Sequence, residues 1–205
     1  MNVFEKEEIF WRERFDSEDR IIALPYSKKE KNYMSVDTTA HLDSISITLP
    51  SKISKRVISM ANGSEMAIFL ILLSGVNCLL YKYTKEKNIV LGIPTIEAHK
   101  EMFPFIDELL PLKAAIHNES TFKSILKEVN LSVNESIKHQ NISFKKMIAS
   151  LNVELDMNNR PVVNTVVALR EIHKSITFND VLVSDSLFNF NLENDLVNLD
   201  LFYNK

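Results

Sequence analysis

Proton transfer near neutral pH falls first to histidine, and the chain carries His41, His99, His117, His139 and His173. Each is isolated in sequence, and no Gly-x-Ser-x-Gly elbow is present to place a serine nucleophile beside one of them. His99 stands between Glu97 and Glu101, and carboxylates around an imidazole raise the question of a metal. The alternate spacing fits neither ligand pairs three or four apart on a helix nor a zinc motif, so no metal site is expected. His139 ends an amphipathic run, where a protonated imidazole meets the negative end of the helix dipole. Capping therefore outweighs proton transfer as its expected role. Cys78, the sole cysteine, falls inside an apolar run and reads as a small, protonated core residue. The glycines Gly63, Gly75 and Gly92 are too scattered to cradle a phosphate.

The elements that must position these groups belong to one domain, residues 1–205, with 45% hydrophobic and 25% charged residues. A net charge of −3 leaves no electrostatic footprint for nucleic acid. The longest apolar run, 66–81, is broken by Ser74, Gly75 and Asn77 and falls short of a membrane span. One cysteine precludes an intrachain disulfide, and Met1 leads straight into the charged Glu5-Lys6-Glu7-Glu8. A cytoplasmic protein is expected.

Residues 62–94 form the centre of the pattern. Ser64 suits an N-cap and Glu65 suits a helix N-terminus, and the following run is apolar on every face, which predicts an enclosed helix. Ile89-Val90-Leu91-Gly92-Ile93 then reads as a strand covered on both faces. Before them, 4–15 predicts a helix with Phe4, Trp11 and Phe15 on one face and its glutamates and arginines elsewhere. Residues 16–43 predict a long surface connection. Residues 45–49 alternate as a half-buried strand, and a helix over 51–61 is expected to turn Ile53, Val57 and Met60 inward.

Further along, 109–116 predicts a strand and 121–139 an amphipathic helix capped by Ser120 or Thr121, with Phe122, Ile125, Leu126, Val129, Val133 and Ile137 inward. A short helix over 144–151 with Ser143 as N-cap and a strand over 162–169 follow. Residues 188–192 and 197–203 form an antiparallel hairpin around Glu193-Asn194-Asp195. The last strand still points an apolar face inward, so Lys205 is not expected to be a natural domain end. Strands alternating with helices predict an α/β fold, a layered mixed sheet covered by helices.

Several stretches together resemble the condensation domains of nonribosomal peptide synthetases, which share the chloramphenicol acetyltransferase fold. Phe10-Trp11-Arg12-Glu13-Arg14-Phe15 and Leu24-Pro25 are similar to the Tyr-Trp-Lys-x-x-Leu and Leu-Pro entry into the second half of such domains. Tyr81-Lys82-Tyr83-Thr84 with Asn88-Ile89-Val90-Leu91-Gly92-Ile93-Pro94 resembles Arg-Tyr-Thr-Gly … Asp-Ile-Val-Val-Gly-Thr-Pro. Pro104-Phe105-Ile106-Asp107-Glu108-Leu109-Leu110-Pro111-Leu112-Lys113 resembles Gly-x-Phe-Val-Asn-Thr-Leu-Pro-Leu-Arg. His139-Gln140-Asn141-Ile142-Ser143-Phe144-Lys145 resembles His-Gln-Asp-x-Pro-Phe-Glu, and Arg160-Pro161-Val162-Val163 resembles Asn-Pro-Leu-Phe. The five occur in the family's order and cover nearly the whole chain.

The resemblance implies a C-terminal half-domain whose motif positions, lining a tunnel or an interface, are Gly92, Pro94, Glu108, Pro111, Lys113, His139, Gln140, Phe144 and Pro161. The family's catalytic His-His-x-x-x-Asp-Gly belongs to the other half, and no His-His pair occurs here. Pro104, Glu108, Asn141, Ser143 and Lys145 also depart from the family's residues. No catalytic residue is therefore assigned. The family joins two thioesters carried on phosphopantetheine arms, so those substrates are implied, with no cofactor bound directly. The implied role is a non-catalytic platform beside an adenylation domain, with a carrier protein nearby and an apolar face able to self-associate. The alternatives are a half-enzyme completed in trans by a chain carrying the histidine motif, and an acyltransferase using His99 or His139.

Overall fold

The computed structural model describes residues 3–15, 42–95, 109–140, 142, 146–147, 163, 165–173 and 186–204. The elements are α1 (Val3–Arg14), β1 (Leu42–Thr48), α2 (Ser51–Ala61), α3 (Glu65–Thr84), β2 (Asn88–Pro94), β3 (Leu109–Ala115), α4 (Phe122–Lys138), β4 (Thr165–Leu169), β5 (Ser186–Glu193) and β6 (Leu196–Asn204). The strands form one mixed sheet in the order β1-β6-β5-β4-β2-β3. β4 runs parallel to β2 and β5, and the other pairs are antiparallel. α3 packs on β2 and β4, α4 on β3, and α2 on α3 and β6. This is the expected α/β sheet covered by helices.

Local chemistry explains most of these elements. Ser64 caps α3 by accepting the Ala67 N–H at 3.2 Å, satisfying one of the donors that every helix start leaves open. Thr121 caps α4 in a reciprocal box with Ser124. The β5–β6 hairpin turns on Asn194 and Asp195, both at positive φ (52° and 58°), the conformation a tight two-residue hairpin turn needs. Ile89, Leu91 and Ile93 on one face and Val90 and Gly92 on the other are all buried, as an interior strand covered on both faces requires. Pro111 falls on β3, an edge strand, where its missing N–H removes least from the ladder.

Burial departs from the sequence expectation in the outer helices and at the far edge. Ile53 and Met60 are 50% and 58% exposed rather than turned inward. The cause is Ser54, whose Oγ donates to the Leu49 carbonyl at 3.1 Å and accepts the Val197 N–H at 3.1 Å. That bridge turns Ser54 and Ala61 toward the sheet and rotates their neighbours out. α3 is apolar all round yet not enclosed, because the sheet, α2 and α4 cover only part of its girth. Gly75, Leu79 and Tyr83 face outward, and Cys78 is half-buried. Partial burial pushes the Cys78 thiol up, against the opposing pull of Lys82. α3 alone among the described residues is long and apolar enough to cross a bilayer, but it is packed as described. Phe122 is likewise outward, and Ile45 and Ile47 stay half-exposed because β1 pairs only with β6.

Several expected segments, including 16–41, the Glu97-His99-Glu101 stretch and most of the helix over 144–151, lie outside the described residues. Of that helix, Lys146 and Met147 are helical and Met147 is buried.

His173 closes the turn after β4. Its Nδ1 lies 3.0 Å from the Leu169 N–H and 3.1 Å from the Leu169 carbonyl, and Nε2 has no partner among the described residues. The ring packs edge-on against Phe69 at 4.8 Å. Burial, opposed by the hydrogen bond to Leu169, lowers its pKa to about 4. A neutral buried imidazole with a depressed pKa gives its full stability above the unfolded value near 6.5 and loses it as pH falls toward 4. Urea unfolding should show about 2 kcal/mol less stability near pH 5 than near pH 7.5. That increment should disappear in His173→Leu, whatever the variant's absolute stability.

Candidate functional site

The motif positions among the described residues gather where α1 crosses the C-terminal end of α4, beside β3 and β2. α4 ends at His139, whose N–H still reaches the Glu135 and Ser136 carbonyls at 3.2 Å each. The last carbonyls of a helix have no partner within it. One is supplied from α1, where Trp11 Nε1 donates to the His139 carbonyl at 2.9 Å. Trp11 is fully buried, meets the Phe10 ring edge-on at 5.0 Å and stacks on Phe15 at 6.2 Å.

The imidazole of His139 is held on a second side. Glu7 Oε2 lies 2.7 Å from its Nδ1, and the Glu7 side chain is only 7% exposed. Phe10 lies flat against the ring, with centroids 3.7 Å apart and planes 11° from parallel. When protonated, the imidazole is therefore paired with a buried carboxylate and sits at the favourable end of the helix dipole. Arg14 extends the junction, with Nη1 2.5 Å from Glu135 Oε2 and Nη2 2.9 Å from Ser132 Oγ. Its guanidinium also stands 5.7 Å from the Phe10 ring centroid.

β3 joins the same assembly. Ser136 Oγ donates to the Pro111 carbonyl at 3.2 Å, and Lys113 Nζ reaches the Arg14 carbonyl at 3.5 Å. Gln140 is buried next to His139. Gly92 pairs across the ladder with Pro111 on one side and Val166 on the other, and Pro94 pairs with Leu109. Pro111, Lys113, His139 and Gln140 thus form one cluster, with Gly92 and Pro94 one strand away. Glu108, Phe144 and Pro161 lie outside the described residues.

A carboxylate on Nδ1 is also the device that orients an imidazole for general-base work. Glu7 holds Nδ1, so general-base work by this ring would use Nε2. Of the other described histidines, His173 is buried and His117 is exposed.

The sequence expectation sets the glutamates and arginines of α1 away from its apolar face, and the structure corrects this. Glu7 and Arg14 lie on the docking side with Trp11. The signal is present in the spacing, since Glu7, Trp11 and Phe15 recur every four residues.

Gly92 carries the tightest backbone approach. A Cβ there would stand 2.7 Å from Val163 Cγ1 and 3.5 Å from Val166 Cγ2. Gly92→Ala should destabilise the fold by about 1–3 kcal/mol in urea unfolding. Val163→Ala in the same chain should recover part of that loss, and equal loss with and without it would remove the steric explanation.

A family model described as "Condensation domain" matches residues 2–194. A mycosubtilin synthase subunit of Bacillus subtilis is 38% identical over all 205 residues, which span 8% of that protein. A plipastatin synthase subunit of Bacillus subtilis (strain 168) is 25% identical over 87% of this chain and 5% of its own length. The chain therefore spans only a small part of these relatives. Among solved structures, the X-domain from teicoplanin biosynthesis aligns with a TM-score of 0.75 at 15% identity, covering 99% of this chain and 50% of that one. The first condensation domain of the calcium-dependent antibiotic synthetase aligns at 0.70 and 14%, covering 100% and 48%.

Proposed function

The chain belongs to the condensation-domain family, and from that premise we propose that these 205 residues act as a non-catalytic platform in a peptide-assembling synthetase. On this reading they offer a docking face to a neighbouring adenylation domain, with carrier proteins passing nearby. Substrates would travel as thioesters on phosphopantetheine arms belonging to those carriers. The observation that carries the reading is the state of the motif histidine. His139 caps a helix, stacks on Phe10 and pairs with buried Glu7, and no His-His pair occurs in the sequence. The ring is held at Nδ1 and on one face, contacts that join two helices, and this supports a structural role.

A second reading keeps the chemistry and moves its histidine elsewhere: a partner polypeptide carrying His-His-x-x-x-Asp-Gly completes the enzyme in trans. Its support is the length match, since the chain aligns with 48% of a solved condensation domain.

Mixing the chain with a carrier-bound acyl donor and a carrier-bound aminoacyl acceptor, and following amide product by mass spectrometry, separates the readings. The platform reading expects no product above the uncatalysed background, with or without a supplied first half. Product only when a first half is added supports the second reading. Turnover by the chain alone that His139→Ala abolishes would overturn both. In parallel, light scattering should show the chain binding an adjacent adenylation domain or pairing with itself. A clean monomer with no such affinity would count against the platform.

A further inference from the structure

We propose that the groove formed by α2, α3 and the first half of α4 docks an acidic amphipathic helix of a partner protein. This inference uses a different face from the His139 junction and stands whether or not the platform reading holds.

The groove is open and encloses about 710 Å3. Ala67, Leu70 and Ile71 of α3 form its floor with Leu126 of α4, and Met60 of α2 closes one side. Met60 is the residue of this set that the orientation of α2 leaves exposed. The apolar surface does not stop at the groove. Ala67, Ile71, Gly75, Leu79 and Tyr83 follow one another every four residues along α3, and the last three are exposed. Each step of four also advances about 40° around the helix, so this line winds off the groove, and a docked helix would meet Ala67, Leu70 and Ile71 with Met60 and Leu126. Ala67 is small and would let a second helix axis approach closely. The shape is the one that receives i, i+3, i+4, i+7 anchors of an amphipathic helix.

Charge selects the kind of helix. Lys123 and Lys127, one turn apart on α4, are the charged residues lining the groove among the described residues, and no described acid lines it. On the α2 side Lys52, Lys55 and Arg56 are all exposed, and α2 has no acidic residue. Lys52 and Arg56 lie on the same helical stripe as Met60. Glu65, Glu119 and Glu128, the acids nearest in sequence, are not among the residues that line the groove. The α4 lip is thus basic on a chain whose net charge is −3. An apolar floor beside a basic lip complements a helix with an apolar stripe flanked by Glu or Asp, and repels one flanked by Lys.

The test uses a labelled synthetic peptide of about five helical turns, with Leu and Ile at i, i+3, i+4, i+7 and Glu on both flanks, read by fluorescence anisotropy against the full chain. The acidic peptide should bind and weaken as salt rises. Lys123→Glu with Lys127→Glu should weaken it by about tenfold or more. Met60→Glu, at an exposed position on the groove, should weaken it independently, with circular dichroism confirming that each variant is folded. Absence of binding, equal binding of a peptide with Lys in place of Glu, or indifference to both variants would overturn the proposal. So would saturation of the groove by a long-chain fatty acid that the peptide cannot displace, or dimerisation of the chain through this face.

Discussion

The open carbonyl at the end of α4 is satisfied by an indole N–H from 128 positions earlier in the chain, and much of the site geometry follows from that junction. A helix end buried without a partner costs free energy on the order of 1–3 kcal/mol per group. Trp11 removes that cost and, being fully buried, brings α1 with it. Once α1 is seated, Glu7 meets the imidazole and Arg14 meets Glu135 and Ser132. The same stretch of α4 fixes β3 through Ser136 and the Pro111 carbonyl. β3 in turn pairs with β2 at Gly92, where Val163 leaves no room for a side chain. The motif positions are linked because each is a contact in one chain of packing, from a helix end to the interior of the sheet.

Much of this is legible in sequence, and the limits have physical causes. Caps and turns can be read because their chemistry is local: Ser64, Thr121 and Asn194-Asp195 act on atoms within a few residues. The strand at 89–93 can be read from its continuous run of apolar and β-branched residues, and the one at 109–116 from a short, mostly apolar run with its proline near the start. The rotation of α2 cannot, because it is set by Ser54 bridging two segments 143 positions apart in the chain. An apolar residue announces that it can be covered, and only the neighbouring elements decide whether it is. Ile53, Met60 and Leu79 are large and apolar, yet about half of each stays exposed. Glu7 is hidden for the opposite reason: a carboxylate in a charged helix reads as solvated until its partner on another element is known.

The two helical surfaces of the molecule contrast in a way that bears on function. At the α1–α4 junction the motif histidine is bound on its ring face, at Nδ1 and at its carbonyl. On the outer side, α3 carries apolar side chains that the fold itself does not cover. A condensation-domain segment without the His-His motif keeps the scaffold that family members share.

The central claim is that His139 serves structure, through a coupled contact with Glu7. A double-mutant cycle of Glu7→Gln and His139→Gln, each chain unfolded in urea at neutral pH, measures that coupling directly. The account predicts an interaction energy of about 1 kcal/mol or more, with both single variants destabilised and the double variant losing less than their sum. Additive effects within about 0.3 kcal/mol would show that the two side chains do not depend on each other, and would contradict it.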